Sequence, residues 1–443
     1  MSCRHSGSSI RTDELRLGMN DERPSSMTGG RSDPRHCMVV HAYYPLTETR
    51  VQRQAETLVN AGYAVDVVCL RDRGERAQEL YRGVAIHRLP VHLEKSNMWR
   101  QLLSYLHFLV RAAVRLTELH LRHPYRSVQI HNLPDFLVFC ALVPKLQRVP
   151  IILDLHDLMP EFFDGRFGPG RLRLLARLIR WQERLACRFA DHVITVSEHW
   201  RRALIQRGVA EDKCSVIMNV ADESIFKRRR MGPPARREFR LIYHGTVTHR
   251  YGLDLAIQAV GLVRDEIPEI RLTILGTGDH RPALVELRRR LGLEAYVELR
   301  DEYLLAEDLP EVILSADLGI VPYRNDAFTD GVVPTKLMEY AILGVPSIAA
   351  RTTAIEAYFR DAMVEFFNPG DAEDLARCLR ELGGNPQRRA ELARRSRNFT
   401  RRYNWSSIGA DYVALVKGLP GRSSSPENGS GLRLTSLKES EEK

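Results

Sequence analysis

The chain has 443 residues, 44% hydrophobic and 27% charged, an ordinary globular composition with apolar mass for two cores or at most three, and its Lys plus Arg exceed its Asp plus Glu by 65 to 56. No apolar run approaches the ~18 residues of a membrane span and the first thirty residues carry no apolar core, so neither a transmembrane helix nor a secretory signal is expected, and the cytoplasmic side is the expected location. Seven scattered cysteines (Cys3, Cys37, Cys69, Cys140, Cys187, Cys214, Cys378) with no Cys-x-x-Cys pair argue against zinc fingers, redox dithiols and a disulfide framework.

Residues 1–35 are rich in Ser, Gly and Arg without periodicity and read as a disordered tail. HCMVVHAYY then reads as a short strand, and TETRVQRQAETLVNAG as a helix with Thr47 as its N-cap and Gly62 as its stop. AVDVVCL is a buried strand, and SVQIHN, VPIILDLHD, DHVITVS and CSVIMN are further β-branched runs, each followed by a polar loop or helix. Two basic segments interrupt them: residues 92–126 hold six Lys/Arg against two Glu, and residues 165–188 hold seven Arg against one Glu. In the second, Leu174, Leu178, Trp181, Leu185 and Phe189 recur at helical spacing beside a stripe of Arg173, Arg177, Arg180, Arg184 and Arg188. Such a helix suits an anionic membrane surface; alternatively its apolar stripe packs on the core and the arginines are a solvated face. No DNA- or RNA-binding motif accompanies the charge, so no nucleic-acid partner is expected.

After KRRRMGPPARRE the same grammar restarts with FRLIYHG, IRLTILGTG, VELRDE, DLGIVPY and VPSIAA, and residues 419–443 read as a second disordered tail. Strand–helix alternation in two blocks predicts an α/β chain of two doubly wound, Rossmann-like domains facing a central cleft, residues 36–226 and 227–403. Ligands then belong at strand ends.

Four loops could carry chemistry. YHGTVTHRYGLDLAIQAV joins a strand to a helix through Gly245, where helix N–H groups and Arg250 could meet phosphate, or the glycine serves only helix packing. ILGTGDH repeats the theme with Gly276 and Gly278 but lacks the third glycine and the later acid of a dinucleotide fingerprint, which disfavours NAD and leaves a loop open to a base or ribose. GVVPTKLMEYAILGVP places Pro334 ahead of a helix with Lys336 and Glu339 on one side of its first turns: a carboxylate for a ribose diol and an ammonium for a diphosphate, or an ordinary surface ion pair. IHNLPD and DLHDLMPE supply His131, Asn132, Asp135, Asp154, His156, Asp157 and Glu161; their spacing matches no common ligand set, and no metal is expected.

With these motifs in order, residues 36–418 resemble the retaining group 1 glycosyltransferases of family 4, which have the GT-B fold; the landmarks include DLHDLMPE, ADHVITVSE, VIMNVADESIF, YHGTVTHRYGLDLAIQA, ILGTGDH, PTKLMEYAILGVP and RRYNW. The resemblance implies transfer of a sugar from a nucleotide-sugar donor, bound mainly by the second domain, to a glycan, lipid-linked or other cell-envelope acceptor bound mainly by the first, with no cofactor and no divalent metal. It implies a helix over 404–418 crossing back to the first domain, Glu339 on the donor ribose, and His156 near the reacting sugar with Asp157 beside it. The donor set would be Gly245, Thr246, Arg250, Gly276, Gly278, Arg300, Pro334, Thr335, Lys336, Leu337 and Glu339, with base selectivity around Arg300. Arg50, Gln54, His131, Asn132, Asp135 and Glu161 would form the acceptor side.

Three departures from the family pattern stand out. Thr246 and Tyr251 occupy the places of two family cations, so Arg250 and Lys336 are expected to neutralise the diphosphate instead. Gly331 stands where the family has a glutamate, eight positions before Glu339, leaving Asp330 or the backbone of VVPTK to contact the sugar. YYPLTETR replaces the glycine-rich acceptor loop, leaving Arg50 and Gln54 as contacts. A catalytically silent sugar-nucleotide-binding scaffold and another GT-B enzyme, such as an epimerase, are the alternative functions.

Overall fold

The computed structural model describes residues 33–45, 48–92, 98–167, 173–227, 238–302 and 304–420. Thr47, most of KRRRMGPPARRE and nearly all of both expected tails lie outside them. The first domain is built on β1 (Arg35–Val39), β2 (Ala64–Leu70), β3 (Gln78–Tyr81), β4 (Val84–Leu89), β5 (Ser127–His131), β6 (Ile151–Leu155), β7 (His192–Thr195) and β8 (Cys214–Val216). Their order is β3-β4-β2-β1-β5-β6-β7-β8, parallel throughout except for the β3–β4 hairpin. The second domain has β9 (Phe239–His244), β10 (Ile270–Leu275), β11 (Val297–Arg300), β12 (Leu318–Val321), β13 (Ser347–Ala350) and β14 (Glu365–Phe367), in the order β11-β10-β9-β12-β13-β14, all parallel.

Both sheets are doubly wound, and each has a point where the strand order reverses. β1 leads to β2 on one side while its other neighbour, β5, leads to β6 on the opposite side, and β9 leads to β10 while its neighbour β12 leads to β13. Loops diverge there and open a crevice at the carboxyl ends of the strands. Strands β1, β2, β5 and β6 are buried on both faces, as parallel strands covered by helices must be, which is why they read as continuous apolar runs.

The helix Trp405–Gly418 begins where the Asn404 side chain caps the Ser407 N–H, and it returns to the first sheet. Trp405 Nε1 donates to Thr57 Oγ1 at 2.9 Å, and the fully buried Tyr412 donates to Gln129 Oε1 at 2.6 Å. The domains also touch through Ser197–Trp200 of the first and Phe328–Gly331 of the second: Ser197 Oγ donates to the Gly331 carbonyl at 3.4 Å, and Phe162 meets Phe328 edge to face. The six cysteines among the described residues are all buried and unpaired, as their spacing implies.

The basic helix Arg173–Phe189 presents the opposite face from a core-packing stripe. Its buried residues are Ala176, Ile179, Glu183, Ala186 and Cys187, whereas Leu174 is 82% exposed, Leu178 55% and Trp181 57%. Leu103, Val110 and Val114 of the helix Met98–Arg122 are exposed as well. Both helices pack on the turn Asp135–Ala141, so they lie on one side of the sheet. Among the described residues no helix is long and apolar enough to cross a membrane.

Candidate functional site

The second-domain half of the site forms where β9 ends at its switch point. After His244 the chain turns through Gly245 at φ +112°, and Gly276 and Gly278 follow β10 alongside. A Cβ on Gly276 would lie 1.9 Å from the Gly245 carbonyl oxygen, and one on Gly278 2.0 Å from that of Val247, so these glycines exist because the two strand-end turns lie backbone against backbone. Gly245 differs: a Cβ there would meet only Lys336, at 3.6 Å from Cε and 3.7 Å from Nζ. Its missing side chain leaves space above an ammonium.

Lys336 and Glu339 lie on the helix Thr335–Leu343, whose first N–H groups have no intrahelical acceptor. Pro334 precedes it in extended conformation, and the Leu337 N–H returns to the Pro334 carbonyl. Lys336 and Glu339 are no surface ion pair. Both are buried and each has another partner: Glu339 Oε2 lies 3.1 Å from His244 Nε2, and Lys336 Nζ donates to the Tyr323 hydroxyl at 2.9 Å. Burial lowers the Lys336 pKa, and Tyr251 and Glu339 oppose it. Leu337 points into the hydrophobic core, so no side-chain contact to a donor is open to it.

Arg250 does not reach toward Lys336. Its guanidinium stacks over Phe162 and Phe328, 5.2 and 4.9 Å from their centroids, on the seam between the domains, with Asp326 at 3.9 Å. Arg300 Nη2 pairs with Glu302 at 2.5 Å, and the Arg300 carbonyl accepts from Gly276 N–H. The exposed Thr246 takes the Tyr243 hydroxyl on its carbonyl at 2.7 Å. Asp330, expected to replace the absent glutamate, accepts the Thr353 N–H at 2.8 Å and so anchors the start of the helix Thr353–Tyr358. The reason for Gly331 is steric: a Cβ there would sit 2.3 Å from the Trp200 ring of the first domain.

The first-domain half centres on Asp154, fully buried at the end of β6. Arg50 grips it with two hydrogen bonds of 2.9 Å and gives a third to the Ile217 carbonyl. His131 Nδ1 lies 3.1 Å from Asp154 Oδ2, and Gln54 and Gln129 complete the shell. Burial pushes the Asp154 carboxyl up, but Arg50 and His131 outweigh it and hold it far below the ordinary carboxylate range. Arg50 and Gln54 are therefore committed to this internal network, and the expectation that they meet an acceptor is corrected: the guanidinium is nearly inaccessible. His131, Asp154 and His156 bring ligand atoms within 4.8 Å of one another, a spacing that could hold a metal ion, but both Asp154 oxygens already face Arg50.

His156 and Asp157 follow β6 on a loop held by Asn132, whose side chain accepts from His156 N–H and donates to Asp135 and the Asp157 carbonyl. Burial lowers the His156 pKa to about 4, which leaves its ring neutral at pH 7. Burial pushes Asp157 up to about 6 against the pull of Arg250 from the second domain and Arg50 from the first. Glu48, which the sequence reading passed over, is pushed to about 7 by burial and by the Asp157 and Asp154 carboxylates. Glu161 sits apart from this group, paired with Arg207, which also serves the buried Glu183. Asp135, raised to about 6 by burial, accepts from the Asn132 side chain that holds the loop.

The comparisons with known proteins agree with this arrangement. Residues 47–219 match a glycosyl transferase 4-like domain and residues 238–385 match glycosyl transferases group 1. A sulfoquinovosyl transferase from Arabidopsis thaliana is 26% identical over 61% of this chain and 52% of its own, so the chain spans about half of that relative. Among solved structures, sucrose-phosphate synthase from Thermosynechococcus elongatus superposes with a TM-score of 0.70 at 17% identity, over 87% of this chain and 98% of that one. Anabaena HepE in complex with UDP-glucose gives 0.66 at 17%, over 87% and 100%. With both halves matched in order and two doubly wound domains of the GT-B kind, the chain belongs to the group 1 glycosyl transferases.

Proposed function

We propose that the protein transfers a glycosyl unit from a nucleotide sugar, with retention of anomeric configuration, to a lipid-linked or other cell-envelope acceptor at an anionic membrane surface. The observation that carries the donor half is the placement of Lys336 and Glu339, buried and not paired to each other, under the side-chain-free Gly245 turn. Glu339, oriented by His244, accepts hydrogen bonds from the ribose diol. Lys336 and the helix N-terminus at Thr335 stabilise charge on the departing diphosphate, without Arg250, which the seam rings and Asp326 hold elsewhere, so no divalent cation is needed in this reading. The bond from the anomeric carbon to the diphosphate oxygen breaks with its electrons on the diphosphate. The acceptor oxygen forms the new bond, and its proton passes to Asp157, whose pKa near 6 suits an acceptor of protons at neutral pH. The solved neighbour that holds UDP-glucose supports a nucleotide-sugar donor.

A thermal-shift screen against UDP-, GDP-, ADP- and TDP-sugars at millimolar concentration tests the donor assignment, followed by release of the matching nucleoside diphosphate with and without acceptor. Stabilisation by one family of donors is expected. A shift with none of them would refute the reading, and binding without turnover on any acceptor would favour a sugar-nucleotide-binding scaffold.

The membrane assignment is supported by exposed Leu174, Leu178 and Trp181 beside exposed Arg173, Arg177 and Arg184, an apolar stripe for the acyl boundary and a basic one for anionic headgroups. Co-sedimentation with vesicles of phosphatidylcholine and phosphatidylglycerol should fall when the three arginines become Gln, and further when Leu174 and Trp181 become Ser. Equal binding by parent and variants would leave the stripe without a role.

A further inference from the structure

A lysine buried as deeply as Lys336, 8% exposed, ordinarily has a carboxylate partner. None lies within ion-pair distance of its Nζ among the described residues; Glu339, on the same helix, has its Oε2 3.1 Å from His244 Nε2 instead. Aromatic faces surround it instead. Nζ lies 4.9 Å from the ring centroid of Tyr243, 5.3 Å from Tyr251 and 5.2 Å from Tyr323. Tyr251 and Tyr323 stack with centroids 4.5 Å apart and planes at 17°, and Tyr243 is fixed by its hydrogen bond to the Thr246 carbonyl. The rings come from β9, from the turn before the helix Leu253–Val263 and from the loop after β12, three separate pieces of chain converging on one ammonium.

The choice of partner has a chemical consequence. A carboxylate would cancel the charge and occupy the N–H bonds, whereas ring faces attract the cation through their quadrupoles and leave it a full positive charge. Only one of three N–H bonds goes to Tyr323, and the side left without a ring is the Gly245 turn. We propose that Tyr243, Tyr251 and Tyr323 are positioning residues, a cage that holds Lys336 un-neutralised beneath the Gly245 turn as the docking point for the diphosphate of the donor. Tyr251, which stands where the family pattern has a cation, thus contributes a ring face to the cation that remains. This rests on the nucleotide-sugar reading above.

The test uses the full chain labelled with ¹³C at the lysine ε position, the Lys336 resonance being the one missing from Lys336→Arg. Ring currents should shift that resonance away from the other lysines, and both inorganic pyrophosphate and UDP should move it. Tyr251→Leu should reduce the ring shift, with Tyr243 and Tyr323 still in place, and weaken pyrophosphate binding roughly three- to thirty-fold, the span of one ring's contribution, while Tyr251→Phe keeps both. Tyr323→Phe, which keeps the ring and loses the acceptor, should weaken binding about fivefold. A Lys336 resonance without a ring shift, one that pyrophosphate leaves in place, or parent-like binding by a folded Tyr251→Leu overturns the proposal. If pyrophosphate moves Lys336 while UDP, GDP and ADP all fail to bind, the cage stands as an anion site and the nucleotide-sugar reading is what fails.

Discussion

Gly331→Ala is the sharpest probe of how this chain differs from its family, because the structure assigns the whole effect to one neighbour. An added Cβ would lie 2.3 to 2.5 Å from three ring atoms of Trp200, against an ordinary carbon contact of ~3.5–4.0 Å. Gly331 has no positive φ, so its backbone takes alanine without strain. The indole must then move by more than ~1 Å, and it is walled in: Trp200 is 1% exposed and its ring lies 6.4 Å from that of Phe328. Overpacking of this kind costs ~1–3 kcal/mol. Because Trp200 and Gly331 belong to opposite domains, the strain falls on the wall of the cleft.

Urea unfolding of Gly331→Ala, Trp200→Leu and the double variant measures the contact. Trp200→Leu alone should cost ~2–4 kcal/mol for the lost ring, and the double variant should be more stable than the sum of the singles by ~1–2 kcal/mol, since the leucine leaves room for the methyl. Gly331→Glu, which brings the chain closer to the family pattern, should lower stability further and give no gain in activity while Trp200 is present. Additivity within ~0.5 kcal/mol, or a Gly331→Ala protein as stable as the parent, would refute the steric account.

Arg50→Met should cost ~3–5 kcal/mol in the same urea assay, because it strands the buried Asp154 carboxylate; the double variant Arg50→Met with Asp154→Leu should recover part of that loss, and an unaffected single variant would contradict the network. Glu183 is raised by burial to about 8 from 4.5, so between those values the unfolded chain has released a proton that the folded one keeps, and stability falls as pH rises across that window by at most ~5 kcal/mol. Glu183→Gln should flatten the decline measured at pH 5, 6.5 and 8 without abolishing it, since Glu48, Asp135 and Asp157 shift in the same direction; an unchanged slope would refute this origin. Asp330→Ala should cost ~0.5–2 kcal/mol, as loss of a helix cap does, and leave turnover within about threefold of the parent; a hundredfold loss of turnover would return Asp330 to the chemistry.

Most of the fold was legible because parallel strands covered by helices leave short runs rich in apolar residues, and eleven of the fourteen strands among the described residues fall in the runs read as strands from the sequence. The exceptions have physical reasons. The β3–β4 hairpin turns at Arg82 and Gly83, both at positive φ, and an arginine there gives none of the Asn-Gly or Asp-Gly signal that marks such turns. Its outer strand is half exposed at the sheet edge and β14 has only three residues, too short for a periodic signal. The Arg173–Phe189 helix shows a limit of periodicity itself. A stripe of Leu and Trp identifies a face but not what covers it, and here the buried face is the lesser one of Ala, Ile and Glu. The donor loops were legible as motifs, whereas Arg50 and Gln54 looked like contacts only because sequence does not reveal that Asp154, a hundred residues away, engages both.

The departures from the family pattern read in the sequence as losses, yet in the structure each meets a specific neighbour. The glutamate position cannot be restored at Gly331 while Trp200 fills the space, and Trp200 in turn closes the seam against Phe328, beside the ring pair that holds Arg250. Arg50, in the segment that replaces the acceptor loop, supplies the countercharge for Asp154 and also holds the Ile217 carbonyl near the end of the first domain. Such residues are energetically coupled, because removing one member leaves a clash, an unpaired charge or an unsupported ring whose cost approaches a large fraction of a domain's stability. A single substitution toward the family residue is therefore the wrong test of whether a position matters. The informative comparison is the paired one, Gly331 with Trp200 and Arg50 with Asp154, where the sign of the non-additivity shows which contact the chain depends on.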